Sequence, residues 1–201
     1  MAIFPPVPRL LDAALRDGTV VRVERVDGDS CDGRVLALGR RWVILAQLAD
    51  LGHPDGLTVR RLRDVDHVTP APLSQRASAH LVDWPPTAPD VDLDSTRAML
   101  ASLLTADTLV GIECIDEPDQ RWYGLPHALR RRDLDLWELS PQCTWHATES
   151  SWRLGSLTEV VIGDRYGTTL GSLAPTPPIA PEDSRWAHEI DRPREDGVRA
   201  R

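Results

Sequence analysis

Apolar positions along this chain follow two rhythms, and their order predicts its elements. Leu10, Leu11, Ala14 and Leu15 recur at the spacing that gathers side chains on one side of a 3.6-residue turn, and Gly18 follows as a stop. A short helix is predicted there. Over residues 19–26 the period drops to two, Val21 and Val23 alternating with Arg22 and Glu24, as in a half-buried strand. Asp27-Gly28-Asp29-Ser30 supplies turn chemistry. Further strands are expected over residues 31–38 and 41–48, the latter with Trp42, Ile44, Ala46 and Leu48 on one face. His53-Pro54-Asp55-Gly56 marks another turn. Across residues 57–68 the alternation gives way to Leu62, Val65 and Val68, which predicts one tight helical turn between two short strands.

The pattern is written twice. A slide of 89 positions lays residues 11–27 over 100–116 without a gap. Leu11, Leu15, Thr19, Val21, Glu24 and Asp27 then meet Leu100, Leu104, Thr108, Val110, Glu113 and Asp116. Val20, Val23 and Val26 meet Leu109, Ile112 and Ile115. At an offset of 91, Gly33, Ala37, Leu38, Arg40 and Arg41 fall on Gly124, Ala128, Leu129, Arg131 and Arg132. At 95, Leu62, Asp64 and Val65 fall on Leu157, Glu159 and Val160. The growing offset places extra loop residues in the second copy, mostly around 140–151. Asp94 or Ser95 can cap the second helix, whose apolar stripe is Met99, Leu100, Leu103 and Leu104.

A helix, several closely spaced strands, a one-turn break and a last short strand is the element order of a small antiparallel barrel. With Gly33 and Gly124 midway along the second strand of each copy, the layout resembles the Sm-like members of the SH3-like barrel class. The resemblance implies a mainly β fold of two tandem small barrels, each preceded by a short α-helix. It also implies that pairing within the chain replaces the ring assembly usual for Sm-like domains. The RNA-contacting signatures of that family are missing, since Gly39-Arg40-Arg41 and Arg60-Arg61-Leu62 stand in their places. The expected organisation is a first repeat at 9–69, a Pro-rich linker at 70–93, a second repeat at 94–173 and a disordered tail at 174–201. Leu81, Val82 and Trp84 suggest that part of the linker lies against a barrel.

Charge narrows the function. The chain has no lysine, and its 23 arginines face 31 carboxylates for a net charge of −8, which disfavours non-specific nucleic-acid binding. No stretch is long and apolar enough for a membrane helix, and residues 1–8 lack the features of a secretory leader, so a cytoplasmic, bacterial-type protein is expected. Cys31, Cys114 and Cys143 form no CxxC pair and point to neither a disulfide framework nor a thiolate metal site.

Candidate chemistry is sparse. Cys143, His146 and Glu149 are types that can ligate zinc or form a nucleophilic pair, but they lack the frame of a known site. Residues 163–169, Gly-Asp-Arg-Tyr-Gly-Thr-Thr, lack the lysine of a phosphate loop and read as the final hairpin. Asp27, Asp29 and Asp32 lack the twelfth-position glutamate of a calcium loop. The basic clusters are Arg40, Arg41, Arg60, Arg61 and Arg63 in the first copy and Arg130, Arg131 and Arg132 in the second. They read either as an anion or nucleic-acid patch, or as strand edges neutralised by Asp64, Asp66, Asp133 and Asp135; the acidic total favours the second. Seven tryptophans against one phenylalanine offer either a partner-binding face, with Trp122, Trp137, Trp145 and Trp152 as its residues, or efficient filling of small cores.

The leading expectation is therefore a non-enzymatic binding or adaptor protein, without metal or cofactor, engaging a protein partner through barrel loops or a Trp-bearing face. The alternative is an RNA- or DNA-binding protein acting through the arginine clusters. A metal-dependent or Cys/His hydrolase is third.

Overall fold

The computed structural model describes residues 6–77 and 83–186. Helix α1 (Val7–Asp17) ends at Gly18, which takes φ 63° and donates its N–H to Ala14 O, a left-handed cap that glycine adopts at little cost. The first half continues through β1 (Val20–Arg25), β2 (Ser30–Leu38), β3 (Trp42–Leu48) and β4 (Pro54–Arg61). A single 3₁₀ turn at Leu62–Asp64 separates β4 from β5 (Val65–Pro70), where the apolar spacing had changed, and α2 (Leu73–Ala77) follows. The second half repeats this sequence. It runs α3 (Thr96–Leu103), β6 (Val110–Cys114), β7 (Glu117–Leu129), β8 (Asp133–Glu138), β9 (Ser150–Arg153), β10 (Leu157–Ile162) and α4 (Arg165–Leu173).

The fold is mainly β, built on one open ten-stranded antiparallel sheet ordered β5-β1-β2-β3-β4-β10-β6-β7-β8-β9. Each half therefore has its fifth strand beside its first, then second, third and fourth. The pair of closed barrels expected from the sequence does not form. The fourth strand of the first half pairs with the fifth of the second, with Arg60 opposite Glu159 and Val59 opposite Val160, so the two repeats merge at β4–β10. Backbone hydrogen bonding drives this, because an open β4 edge would otherwise leave a row of donors and acceptors unpaired.

The duplicated residues occupy matching places. Leu11, Val21, Val23, Val43, Leu45 and Val65 form the first repeat's core. Leu100, Val110, Ile112, Leu134, Leu136 and Val160 lie in the second repeat's core. Gly33 faces Val21 across β1–β2, and Gly124 faces Val110 across β6–β7. A Cβ would lie 2.4 Å from Ala46 O at the first glycine and 2.6 Å from Trp137 O at the second, so both strands need the missing side chain to bend over their neighbours. β3 is buried on both faces: Val43 and Leu45 point into the first core, while Trp42 and Ile44 join the second. That second contact leaves α3 packed between the halves.

The connecting segment lies against the first repeat at Trp84, as expected, while the C-terminal segments depart from expectation. Trp84 is buried beside Val20, Ala46, Leu48 and Ala71, whereas Leu81 and Val82 lie outside the described residues. Residues 163–169 do not form a hairpin. They open α4, because the Asp164 carboxylate caps its first turn by accepting from Gly167 N at 3.2 Å. The tail expected to be disordered is ordered as far as Trp186, the rest lying outside the described residues. Trp186 is 1% exposed within the second core and its indole N–H donates to Leu104 O at 3.1 Å. Ser184 Oγ donates to Pro126 O and His127 O. One large apolar residue is enough to anchor a polar segment when it enters a core. No helix among the described residues is long and apolar enough to cross a membrane.

Trp186→Ala is expected to lower the unfolding free energy by about 3–5 kcal/mol, the range for emptying a large aromatic site in a core. Urea denaturation checks this, with Leu73→Ala, an exposed position, as the comparison that stays within about 0.5 kcal/mol.

Candidate functional site

The seam between the repeats carries a buried charge network. Arg60 on β4 reaches Glu159 on β10, Nε to Oε2 at 2.5 Å, and also engages Asp29 in the β1–β2 turn. Arg25, at the end of β1, engages Glu113 on β6 and Asp27. Arg121 on β7 donates to Glu113 at 2.6 Å and to Glu159 at 2.8 Å. Desolvation works against the Arg121 charge, but Glu159 and Glu113 outweigh it and hold its pKa above the usual arginine value. Glu159 is fully buried, so desolvation raises its pKa even with Arg60 and Arg121 beside it. Asp29, Glu113 and Glu159 bring carboxylate oxygens within 4.8 Å of one another, but Arg25, Arg60 and Arg121 already neutralise them. This trio is a structural ion cluster, and Arg60 belongs to it and not to a ligand-facing patch.

The other arginines of the first copy converge on the loop end of the sheet. Arg40 and Arg41 from the β2–β3 loop, Arg61 and Arg63 from the β4–β5 turn, and Arg97 from α3 line one cleft of about 500 Å³. Trp42 lines it too, although its ring is covered by the Arg61 guanidinium at 5.3 Å and is not free to stack on a ligand. Arg61 donates to Gly155 O and Leu154 O, both at 2.9 Å, which ties this turn to the β9–β10 loop of the second repeat. Arg40 pairs with Asp94 at 2.9 Å, and Arg63 lies 3.5 Å from Asp64. Arg41 and Arg97 have no side-chain partner among the described residues.

A second pocket lies on the other side of Leu154 and Gly155, lined by Arg131, Arg132 and Arg153 together with Asp116 and Asp133. These are the same loops in the second copy. None of its three arginines has a side-chain partner among the described residues. Arg130 stands apart, because it is held by the buried Asp135 at 2.6 Å and approaches Glu149. The neutralising pairs read from the sequence are thus made only in part: Asp135 takes Arg130, Asp66 takes His67, and Asp64 stands at the edge of contact.

Electrostatics mark the first cleft. Desolvation and then the nearby charge of Arg63 and Arg41 lower the Arg61 pKa, with Asp64 opposing them. The other arginines with a resolved shift are all raised, Arg60 by Cys31 and then Glu159 and Asp29, the rest by carboxylates. Like charges held this close favour an added anion.

The tryptophans do not share a face. Trp122 and Trp152 stack 5.5 Å apart against the second core, and Trp152 donates to the buried Glu138. Trp137 meets His127 edge-on, while Trp145 donates to Pro175 O and packs near Tyr123, Leu139 and Leu170. Cys143, His146 and Glu149 also diverge. His146 Nδ1 pairs with Glu138, Glu149 with His127 Nε2, and Cys143 packs beside the Tyr123 cluster. Asp27, Asp29 and Asp32 engage Arg25, Arg60 and Arg22 respectively.

Sequence reasoning found four of the five arginines of the first cleft and two of the three of the second pocket, missing Arg97 and Arg153. Arg97 was legible as the residue just inside the Ser95 cap, where Ser95 Oγ accepts from Ala98 N. Arg153 ends β9 in the enlarged loop region and carried no local signal. No protein-family model, curated protein or solved structure matches the chain.

Burial pushes the Cys31 thiol up to about 12 and the Cys114 thiol to about 11. In native protein at neutral pH a maleimide is therefore expected to label the half-buried Cys143 alone, and all three cysteines after unfolding, as counted by intact mass.

Proposed function

We propose that this chain is a non-enzymatic binding protein that takes a single-stranded nucleic acid by its phosphates, on the loop end of its two repeats. The observation that carries the reading is the juxtaposition at Leu154 and Gly155. Two copies of one loop pair lie side by side there, and four of their arginines, Arg41, Arg131, Arg132 and Arg153, lack a side-chain partner among the described residues. Each repeat is read as an Sm-like unit that stays open, the fourth strand of the first being joined to the fifth strand of the second instead of each unit closing on itself. The fifth-first-second-third-fourth order, the leading helix and the bent glycine strand support that likeness.

The net charge of −8 does not oppose this. Exposed charges more than about 8–10 Å away are screened at physiological salt, so the local surplus governs contact with a phosphate. A protein partner remains the second ligand class, and an acidic segment would use the same loops. The scattered tryptophans give it no separate surface. A catalytic role has no support from Cys143, His146 and Glu149, which face three different partners.

Fluorescence anisotropy with a labelled 12-nucleotide single strand tests the reading. Binding is expected to weaken with salt, and four phosphate contacts correspond to a log–log slope of about −3. Arg41→Ala combined with Arg132→Ala should flatten that slope by about one to two, and Arg16→Ala on the far helix should not change it. Absence of binding in low salt, or binding insensitive to salt, contradicts the proposal. Capture of an acidic protein by the same loops without strand binding assigns the site to the second class.

A further inference from the structure

The two arginine pockets are unequal, and the inequality specifies the ligand group each one fits. Building on the phosphate-binding reading above, we infer that the cleft beside α3 receives a phosphate group carrying more than one negative charge: a terminal phosphomonoester or linked phosphates, not the internal phosphodiester of a strand. No carboxylate lines this cleft among the described residues. Its nearest acids, Asp64 and Asp94, stand against Arg63 and Arg40, so the five guanidiniums keep a surplus of three positive charges. An internal phosphodiester carries one negative charge, whereas a phosphomonoester carries about −1.5 to −2 at neutral pH.

The second pocket differs in composition. Asp116 and Asp133 line it with Arg131, Arg132 and Arg153, which leaves a surplus of one. That matches the single charge of an internal phosphodiester. Only the first cleft has a helix over it. α3 brings its N-terminal residues Ser95, Thr96 and Arg97 to the wall, adding the positive end of the helix dipole to the guanidiniums. Because α3 belongs to the second repeat, the feature that sets the first cleft apart comes from the fusion of the two units.

Guanidinium chemistry suits such a group, since paired N–H donors match phosphate oxygens and a terminal phosphate exposes three of them. Arg61 is a positioning residue here. Its N–H groups are spent on Leu154 O and Gly155 O, so it contributes field and holds the two loops together. Arg41 and Arg97, exposed and unpaired among the described residues, are the contacting groups.

The test compares one 12-nucleotide strand carrying a 5′-phosphate, a 3′-phosphate or hydroxyls at both ends, alongside pyrophosphate and inorganic phosphate as unlabelled competitors. At least one phosphate-ended strand is expected to bind tenfold or more tighter than the hydroxyl-ended one. Arg97→Ala should erase that preference without changing the hydroxyl-ended affinity more than about threefold, whereas Arg41→Ala, which also removes a strand contact, should erase it and weaken every strand. Arg131→Ala should weaken all strands alike and keep the preference. Pyrophosphate competing as well as the strand assigns the linked-phosphate source and also supports the inference. Equal binding of all strands, with no competition by pyrophosphate, overturns it while leaving strand binding intact. Failure of every probe overturns both. The melting temperature of Arg97→Ala, expected to equal that of the unaltered protein, separates lost contact from lost folding.

Discussion

The structure depends on the buried ion pairing at β4–β10. Hydrogen bonding alone would let β4 accept many strands, but Arg60 reaches Glu159 only when Val59 faces Val160. A one-residue slip would turn Arg60 to the other face of the sheet and leave the buried Glu159 to Arg121, breaking a buried ion pair across the seam. The network therefore selects one register among those that backbone pairing permits. Arg25 and Arg121 extend the selection to β1, β6 and β7.

That register places the loops. With β4 beside β10, the Arg61 turn meets Leu154 and Gly155, and the two loop pairs become neighbours. It also places α3 between the halves, where Trp42 joins the second core and donates to Thr96 Oγ1. An arginine-rich cleft in an acidic chain follows from this placement. Elsewhere several arginines have found carboxylates, as Arg22 has in Asp32, Arg25 in Glu113 and Arg130 in Asp135. At the loop end, among the described residues, guanidiniums outnumber their acids.

Much of the fold was legible because its local signals are strong. Val21 and Val23 alternate with charged residues, Gly18 caps α1, and the three-residue spacing after Leu62 marks the 3₁₀ turn. The repeat offsets predicted equivalent core positions, and Leu11 and Leu100, Val21 and Val110, Val23 and Ile112, and Val65 and Val160 are buried in both halves, whereas Val26 and Ile115 are exposed in both. What escaped was long-range. Nothing in the sequence around Arg60 says that its strand faces β10, so a buried arginine looked like a surface one. α4 was hidden by its two glycines and two threonines, weak helix formers that Asp164 compensates from outside the helix. Trp186 stood alone in a polar stretch, where composition outweighed a single anchoring residue. The candidate site was half visible: the arginine runs were evident, but not that Arg60 and Arg130 would be spent on carboxylates and Arg97 recruited.

The most direct measurement is a double-mutant cycle on Arg60 and Glu159, using Arg60→Met and Glu159→Gln singly and together in urea unfolding. The expected result is a coupling energy of about 2 kcal/mol or more, within the range for residues sharing one ion network. All variants should unfold in a single transition. A coupling below about 0.5 kcal/mol, or separate unfolding of the two halves, would show that the seam is not held by this pair.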